Sequence, residues 1–250
     1  MANTLITGAS SGIGAELAER FAHRGDDLIL VARRRDRLRA FADEIQHKHG
    51  VGVDVLDMDL SEPYAAHELW EKLESREIDT VVNNAGFGLN GNIADVDAEV
   101  LDQMVRLNCL AVVGLTSRFV KPMVARGRGT IINIASTASY QPVPHLAVYA
   151  ASKALVLSLT EALWAEVKSS GVRVLAACPG PTETEFFDHA GRAASVGRMR
   201  TTQQLADGLM SALDRDTPSF IDGLTNRVIA KGASFLPKKL VLRIAGAAIT

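Results

Sequence analysis

The feature that most constrains this chain is a glycine-bearing loop directly behind its first apolar run. Asn3–Thr7 has strand character, and Thr7-Gly8-Ala9-Ser10-Ser11-Gly12-Ile13-Gly14 then opens a helical pattern reaching about Arg24. A strand-to-helix turn with several glycines lets backbone N–H groups approach a phosphate, and the helix N-terminus adds partial positive charge. The spacing is G-x-x-x-G-x-G rather than the more familiar G-x-G-x-x-G. An ordinary tight turn uses the same residues. The position behind the first strand is what favours a dinucleotide loop.

The rest of the chain repeats the strand–helix alternation. Strand character recurs at Asp27–Ala32, Val51–Asp57, Thr80–Asn83, Thr130–Ala135 and Arg173–Ala177. Helical patterns fill the gaps at Asp36–Lys48, from Ser61-Glu62-Pro63 to about Ser75, and at Ala147–Ser170; Val96–Arg126 reads as one broken helix or two. The strand runs are apolar on both faces, as a parallel sheet covered by helices on each side requires. The expectation is an α/β fold, a Rossmann-like doubly wound parallel sheet with helices on both faces. No linker or repeat divides residues 1–250, so one domain is expected.

Composition excludes several classes. Apolar residues make up 47% and charged residues 22% of the 250, and mean hydropathy is +0.10, which is not a disordered chain. A net charge of −2 argues against nucleic-acid binding over the whole surface. Two cysteines, Cys109 and Cys178, cannot form a disulfide scaffold and point to a reducing compartment. Both read as small core hydrophobes. The first residues lack a basic leader, no segment reads as long and apolar enough to cross a bilayer, and a cytoplasmic location is expected. The six histidines do not cluster, and no Cys/His spacing fits a metal. No Gly-Lys-Ser/Thr follows the glycine loop, which argues against an ATPase, and Ser136 lacks a nucleophile-elbow setting, which argues against a hydrolase.

Tyr149 and Lys153 stand four apart in a helical pattern, one turn apart on one face. A free tyrosine, with a pKa of about 10, is a poor proton shuttle near neutrality, and a nearby ammonium favours its phenolate. A bare Y-x-x-x-K is common by chance, but Ser136 lies thirteen positions before Tyr149 and Asn108 twenty-eight before Ser136. The end of the second strand, Val31-Ala32-Arg33-Arg34-Arg35, is where such a fold meets the adenosine ribose. An acid there holds the 2′-hydroxyl of NAD, and an arginine accommodates the 2′-phosphate of NADP.

Taken together, Thr7–Gly14, Asn83-Asn84-Ala85-Gly86 and the set Asn108, Ser136, Tyr149 and Lys153 resemble the short-chain dehydrogenase/reductases. The resemblance runs over roughly Asn3–Thr184. It implies an oxidoreductase that interconverts a small-molecule carbonyl and a secondary alcohol. Tyr149 would be its general acid/base and a cofactor contact, Lys153 its pKa modifier and ribose ligand, Ser136 the partner of the substrate oxygen, and Asn108 the holder of a relay water. For the cofactor it implies Gly8, Ser10, Ser11, Gly12, Ile13 and Gly14 at the phosphates, with Arg33 and Arg34 selecting NADP(H) over NAD(H). Asp59 and Leu60 would contact the adenine, and Asn84, Ala85 and Gly86 would flank its ribose. Pro179, Gly180, Thr182 and Thr184 would lie beside the nicotinamide. Ser11 departs from the second basic residue that many NADP users carry in the loop. A non-catalytic NADP(H)-binding regulator, or an epimerase or dehydratase of the same family, are the rival readings.

The end of the chain departs from the family. Residues 185–200 read as a substrate lid, with Gly191 and Gly197 suggesting mobility. Ser219–Ile221 resembles the start of a last strand, but residues 223–250 read as one or two apolar, basic helices broken near Gly232 and Pro237. They carry Arg227, Lys231, Lys238, Lys239 and Arg243 and no acid, so removing those five charges from the total of −2 leaves −7 on the remainder. Such a tail could cover the substrate pocket, pack on a second subunit or lie on a membrane surface. A homodimer through the helix carrying Tyr149 is the family-based expectation.

Overall fold

The computed structural model describes residues 2–186, 199–233 and 235–247. Among them seven strands form one parallel sheet in the order β3-β2-β1-β4-β5-β6-β7. They are β1 Asn3–Thr7, β2 Asp27–Ala32, β3 Val53–Asp57, β4 Thr80–Asn83, β5 Gly129–Ile134, β6 Val172–Cys178 and β7 Ser219–Ile221. The helices are α1 Gly12–His23, α2 Arg35–His49, α3 Ala65–Leu73, α4 Ala98–Val105, α5 Val112–Arg126, α6 Ala147–Val167, α7 Thr202–Leu213, α8 Leu224–Ala233 and α9 Lys238–Ala247.

Adjacent apolar residues on each strand serve opposite layers. Ile6, Val82 and Ile132 pack against α1, α2 and α7, whereas Leu5, Val81 and Ile131 pack against α3, α5 and α6. This is why the strand runs lack polar alternation. The strand order reverses direction between β1 and β4, so their C-terminal ends diverge and leave a crevice, the place where open α/β sheets bind ligands. Gly8 follows β1 and Asn84 follows β4, so both glycine-bearing motifs reach that crevice.

Three expectations need correcting. The helix expected from Ser61 begins at Ala65. Ser61 is drawn the other way, its backbone N–H and hydroxyl both donating to Asp59 Oδ1 at 2.9 and 2.6 Å. Second, the stretch from Ala98 to Arg126 is one continuous helix of 29 residues, apolar and long enough to cross a membrane by length and composition alone. Half of its most apolar window is buried inside the protein, where α5 packs on α3 and the sheet, so its hydropathy reflects the core. Third, the break expected within it is a π-helical stretch, Arg106–Ala111. The wider turns of a π-helix mark functional positions in many helices, and Asn108 sits in this one.

Beneath the crevice a buried amide network ties β4, β5 and α6 together. Asn83 Nδ2 donates to Asn133 Oδ1 at 2.8 Å, and Asn133 Nδ2 donates to Thr160 Oγ1 at 2.9 Å.

Candidate active site

The glycine loop is held from below by β4. The Asn84 side chain donates to the carbonyls of Thr7 and Gly8 at 2.9 and 3.1 Å, and the N–H groups of Asn84 and Ala85 donate to Thr7 Oγ1, each at 3.0 Å. The turn is close-packed. A Cβ on Gly8, which has φ +66°, would stand 2.8 Å from Ala85 Cα, and one on Gly14 would stand 2.4 Å from the Gly8 carbonyl oxygen. Helix α1 starts at Gly12 with no side-chain cap and no acid in its first turn. Ser11 Oγ instead accepts from Arg34 Nη2 at 2.9 Å. The first turn of α1 is therefore without a side-chain cap, the arrangement an anion-binding helix N-terminus needs.

At the end of β2, Arg33 pairs with Asp59 at 3.6 Å. Arg34 reaches over the loop to Ser10, Ser11 and Glu185. Burial raises the Asp59 pKa, but Ser61 and Arg33 outweigh it and hold the carboxyl below its ordinary value.

The end of the cleft that holds the candidate catalytic residues is built from β5, α6 and the π-helical stretch. Ser136 follows β5 and caps a 3₁₀ turn, Thr137–Tyr140. Its Oγ accepts from the Ala138 N–H at 3.1 Å, which leaves its hydroxyl proton available. The Thr137 N–H donates to the Pro179 carbonyl at 2.9 Å, tying this turn to the segment after β6. Ser139 Oγ donates to the Lys153 carbonyl at 2.8 Å, and Ser152 Oγ to that of Tyr149 at 2.7 Å. Lys153, 6% exposed, donates from Nζ to the Ile134 carbonyl at 2.8 Å.

Asn108 is fully buried behind Lys153. Its Nδ2 donates to the Phe87 carbonyl at 2.9 Å and to Ser152 Oγ at 3.1 Å, and its Oδ1 accepts from the Phe87 N–H at 3.1 Å. Both amide hydrogens are thus used, so a relay water could bind only at the remaining Oδ1 lone pair or at the backbone.

Burial dominates the titration of the pair on α6. It pushes the Tyr149 phenol up to about 12, against a hydrogen bond from Ser136 that lowers it. It brings the Lys153 ammonium down to about 8, with Cys109 and Cys178 acting in the opposite direction. The expected depression of Tyr149 by Lys153 is absent here: Ser136 is the group that lowers the phenol, and desolvation of the phenolate outweighs it. Both thiols are buried and pushed up, Cys178 to about 12, which suits the core role expected of them.

One cleft of about 860 Å³ gathers nearly every residue singled out from the sequence. Gly8, Ser10, Ser11, Gly12, Ile13, Arg33, Arg34, Asp59, Leu60, Asn84, Ala85 and Gly86 line one end. Ser136, Tyr149, Lys153, Pro179, Gly180, Thr182 and Thr184 line the other. Gly14 and Asn108 stand behind the wall, where they shape it without lining it. Thr182 is 4% exposed and donates to the Gly180 carbonyl at 3.0 Å. Of the segment expected to act as a lid, residues 187–198, with Gly191 and Gly197, lie outside the described residues.

The tail covers this cleft. Val228, Ile229, Val241 and Ile244 of α8 and α9 line it together with Val143 and Leu146. Sequence reasoning placed Glu185 and Phe186 in the expected lid without giving either a role, and missed Asn226. The Phe186 ring lies 5.3 Å from that of Tyr149, Glu185 bridges two arginines, and Asn226 stands where a Cβ on Gly180 would meet it at 2.2 Å. Nothing local marked Asn226. Among the described residues no group of three or more His, Cys, Asp or Glu is placed to hold a metal ion.

A glycine cradle at a helix N-terminus, opening into a cleft that ends at a tyrosine and a lysine, defines a nicotinamide-dinucleotide oxidoreductase. A family model described as short chain dehydrogenase matches residues 2–194, and the chain belongs to that family. Sulfoacetaldehyde reductase 2 of Chromohalobacter salexigens is 38% identical over 186 residues, covering 73% of each chain. The solved structure of a short-chain dehydrogenase from Sphingobium yanoikuyae in complex with NADPH superposes with a TM-score of 0.87 at 35% identity, covering 94% of this chain and 92% of that one. The bulky-bulky ketone specific alcohol dehydrogenase from Comamonas testosteroni gives 0.81 at 30% identity, over 95% and 96%.

Proposed function

We propose that the protein interconverts a carbonyl compound and a secondary alcohol and uses NADP(H) in preference to NAD(H). The observation that carries the reading is the convergence of Ser136, Tyr149 and Lys153 at one end of the cleft whose other end is the glycine loop with Arg33 and Arg34. The close-packed loop and the uncapped start of α1 fit a dinucleotide pyrophosphate. When bound, the nicotinamide supplies or accepts the hydride.

The chain's own groups handle the proton and the orientation. Ser136, whose Oγ already accepts from Ala138, directs its hydroxyl proton to the substrate oxygen. Tyr149, pushed up to about 12, holds its proton at neutral pH and delivers it to the developing alkoxide. That resting state suits reduction. Lys153 spends one N–H on Ile134 and keeps two for ribose hydroxyls. Asn108 positions Phe87 and Ser152, and through Ser152 the start of α6. The apolar lining from Val143, Leu146, α8 and α9 favours a substrate with apolar flanks.

Among the rivals, a non-catalytic regulator would not need Tyr149 and Lys153. The buried free thiols suit a cytoplasmic location. A panel of aldehydes and ketones followed by nicotinamide absorbance, with both cofactors, tests the proposal. Tyr149→Phe should abolish turnover and leave the NADPH Kd within about twofold, since it removes one hydroxyl and keeps the remaining cofactor contacts. Retained turnover refutes the mechanism. Arg33→Ala should weaken NADPH far more than NADH, and equal effects would remove the 2′-phosphate role.

A further inference from the structure

Glu185 lies 151 residues from Arg34 in sequence and meets it at the rim of the glycine loop. Its Oε2 stands 2.9 Å from Arg34 Nη1 and its Oε1 stands 2.5 Å from Arg37 Nη1. One carboxylate therefore joins two guanidinium groups. Arg34 completes the arrangement through Ser10 and Ser11 Oγ at 3.2 and 2.9 Å. The neighbouring charges are Arg33 and its partner Asp59. The backbone fixes the placement: Thr184 packs over Gly12, and Phe186 packs beside Tyr149. Glu185, between them, is directed at the arginine pair.

Two guanidinium forks around one oxyanion are the geometry that recognises phosphate as well as carboxylate. We propose that Glu185 is a built-in anion that, anchored by Arg37, occupies Arg34, the guanidinium a 2′-phosphate would otherwise use together with Arg33, and that it sets how strongly the protein prefers NADPH over NADH. This rests on the NADP(H) reading above. A dianionic phosphate must displace Glu185 or face its negative charge. NADH brings no anion to this place and leaves the carboxylate where it is. The groups are half-exposed, with side-chain exposures of 49% for Arg34, 45% for Arg37 and 41% for Glu185. Exposed pairs of this kind are individually weak, so displacement is within reach of a phosphate. Glu185 thus moderates the preference without abolishing it.

The test titrates the full-length protein and its Glu185→Gln variant with NADPH and with NADH at fixed ionic strength, following nicotinamide fluorescence. The expected result is an NADPH Kd that falls roughly three- to tenfold, about 0.7–1.4 kcal/mol, with the NADH Kd inside about twofold. Glu185→Asp, shorter by one methylene, should fall between the two, and thermal melts confirm that each variant is folded. An unchanged or weaker NADPH affinity in Glu185→Gln overturns the proposal. So does a parallel change for both cofactors, which would make Glu185 a strap over the dinucleotide. Arg33→Ala run alongside separates the two levels. If it affects NADPH and NADH equally, the 2′-phosphate reading fails and takes this proposal with it. If it weakens NADPH selectively while Glu185→Gln does nothing, only the role of Glu185 is lost.

Discussion

Replacing Lys153 with methionine should expose the buried ammonium as a pH-dependent term in stability. Lys153 is 6% exposed, and burial takes its pKa from 10.5 to about 8. The unfolded chain restores the higher value. Between the two, the unfolded state binds more protons than the folded one, so stability rises with pH across that window. Below pH 8 the group is charged in both states and the folded protein carries the whole penalty, roughly 3.4 kcal/mol for this displacement. Going from pH 7 to pH 9.5 recovers about 2 kcal/mol of it. Methionine keeps an apolar stem and removes the titrating group. It also leaves the Ile134 carbonyl without its Nζ donor, a cost of about 1–3 kcal/mol that does not vary with pH. The two effects largely offset each other at pH 7. The wild-type advantage over the variant should then grow by about 2 kcal/mol by pH 9.5. Urea melts of both proteins across that range measure it. A difference that stays flat refutes the reasoning, because it would mean that Lys153 titrates near its solution value in the folded protein.

Gly14→Ala should lower stability by about 1–3 kcal/mol through overpacking, because its Cβ would press on the Gly8 carbonyl and on Asn84 Nδ2. The melting temperature should drop by roughly 3–10 °C, and cofactor affinity should fall with it; Gly232→Ala, where nothing lies within 4 Å, is the control that should not melt earlier. Leu110, Val113 and Leu155, at 60%, 38% and 42% exposure, leave apolar surface on the π-helical stretch, α5 and α6. If the expected dimer forms through α6, light scattering should find a dimer in the native protein and a monomer in the Leu110→Asp and Leu155→Asp double variant; an unchanged mass would move the interface elsewhere.

The parts of this site that could be read in advance are those made by local rules. The glycine loop follows its strand at once, and Tyr149 and Lys153 share a helix face because four residues make about one turn. Ser136 follows a strand whose apolar run is plain. The misreadings arose where a competing contact or the surrounding packing decided the outcome. Ser61 looks like a helix cap, but Asp59 claims both its hydroxyl and its N–H. The stretch from Ala98 to Arg126 is apolar because α5 is packed into the core, a fact that hydropathy alone does not report. Its π-helical stretch carries no proline or glycine between Arg106 and Ala111 to announce it.

By itself, the order of residues determined the layer architecture, the dinucleotide loop and the identity of the groups that meet at the cleft. These depend on periodicity and on short-range backbone geometry, which act over a few residues. Tertiary structure decided what those groups become. Burial moves Tyr149 up and Lys153 down, and desolvation is a property of what surrounds a side chain. It also set Glu185 between Arg34 and Arg37 and closed the cleft with α8 and α9. Those contacts join residues far apart in the chain, and only the folded packing brings them within a few ångströms.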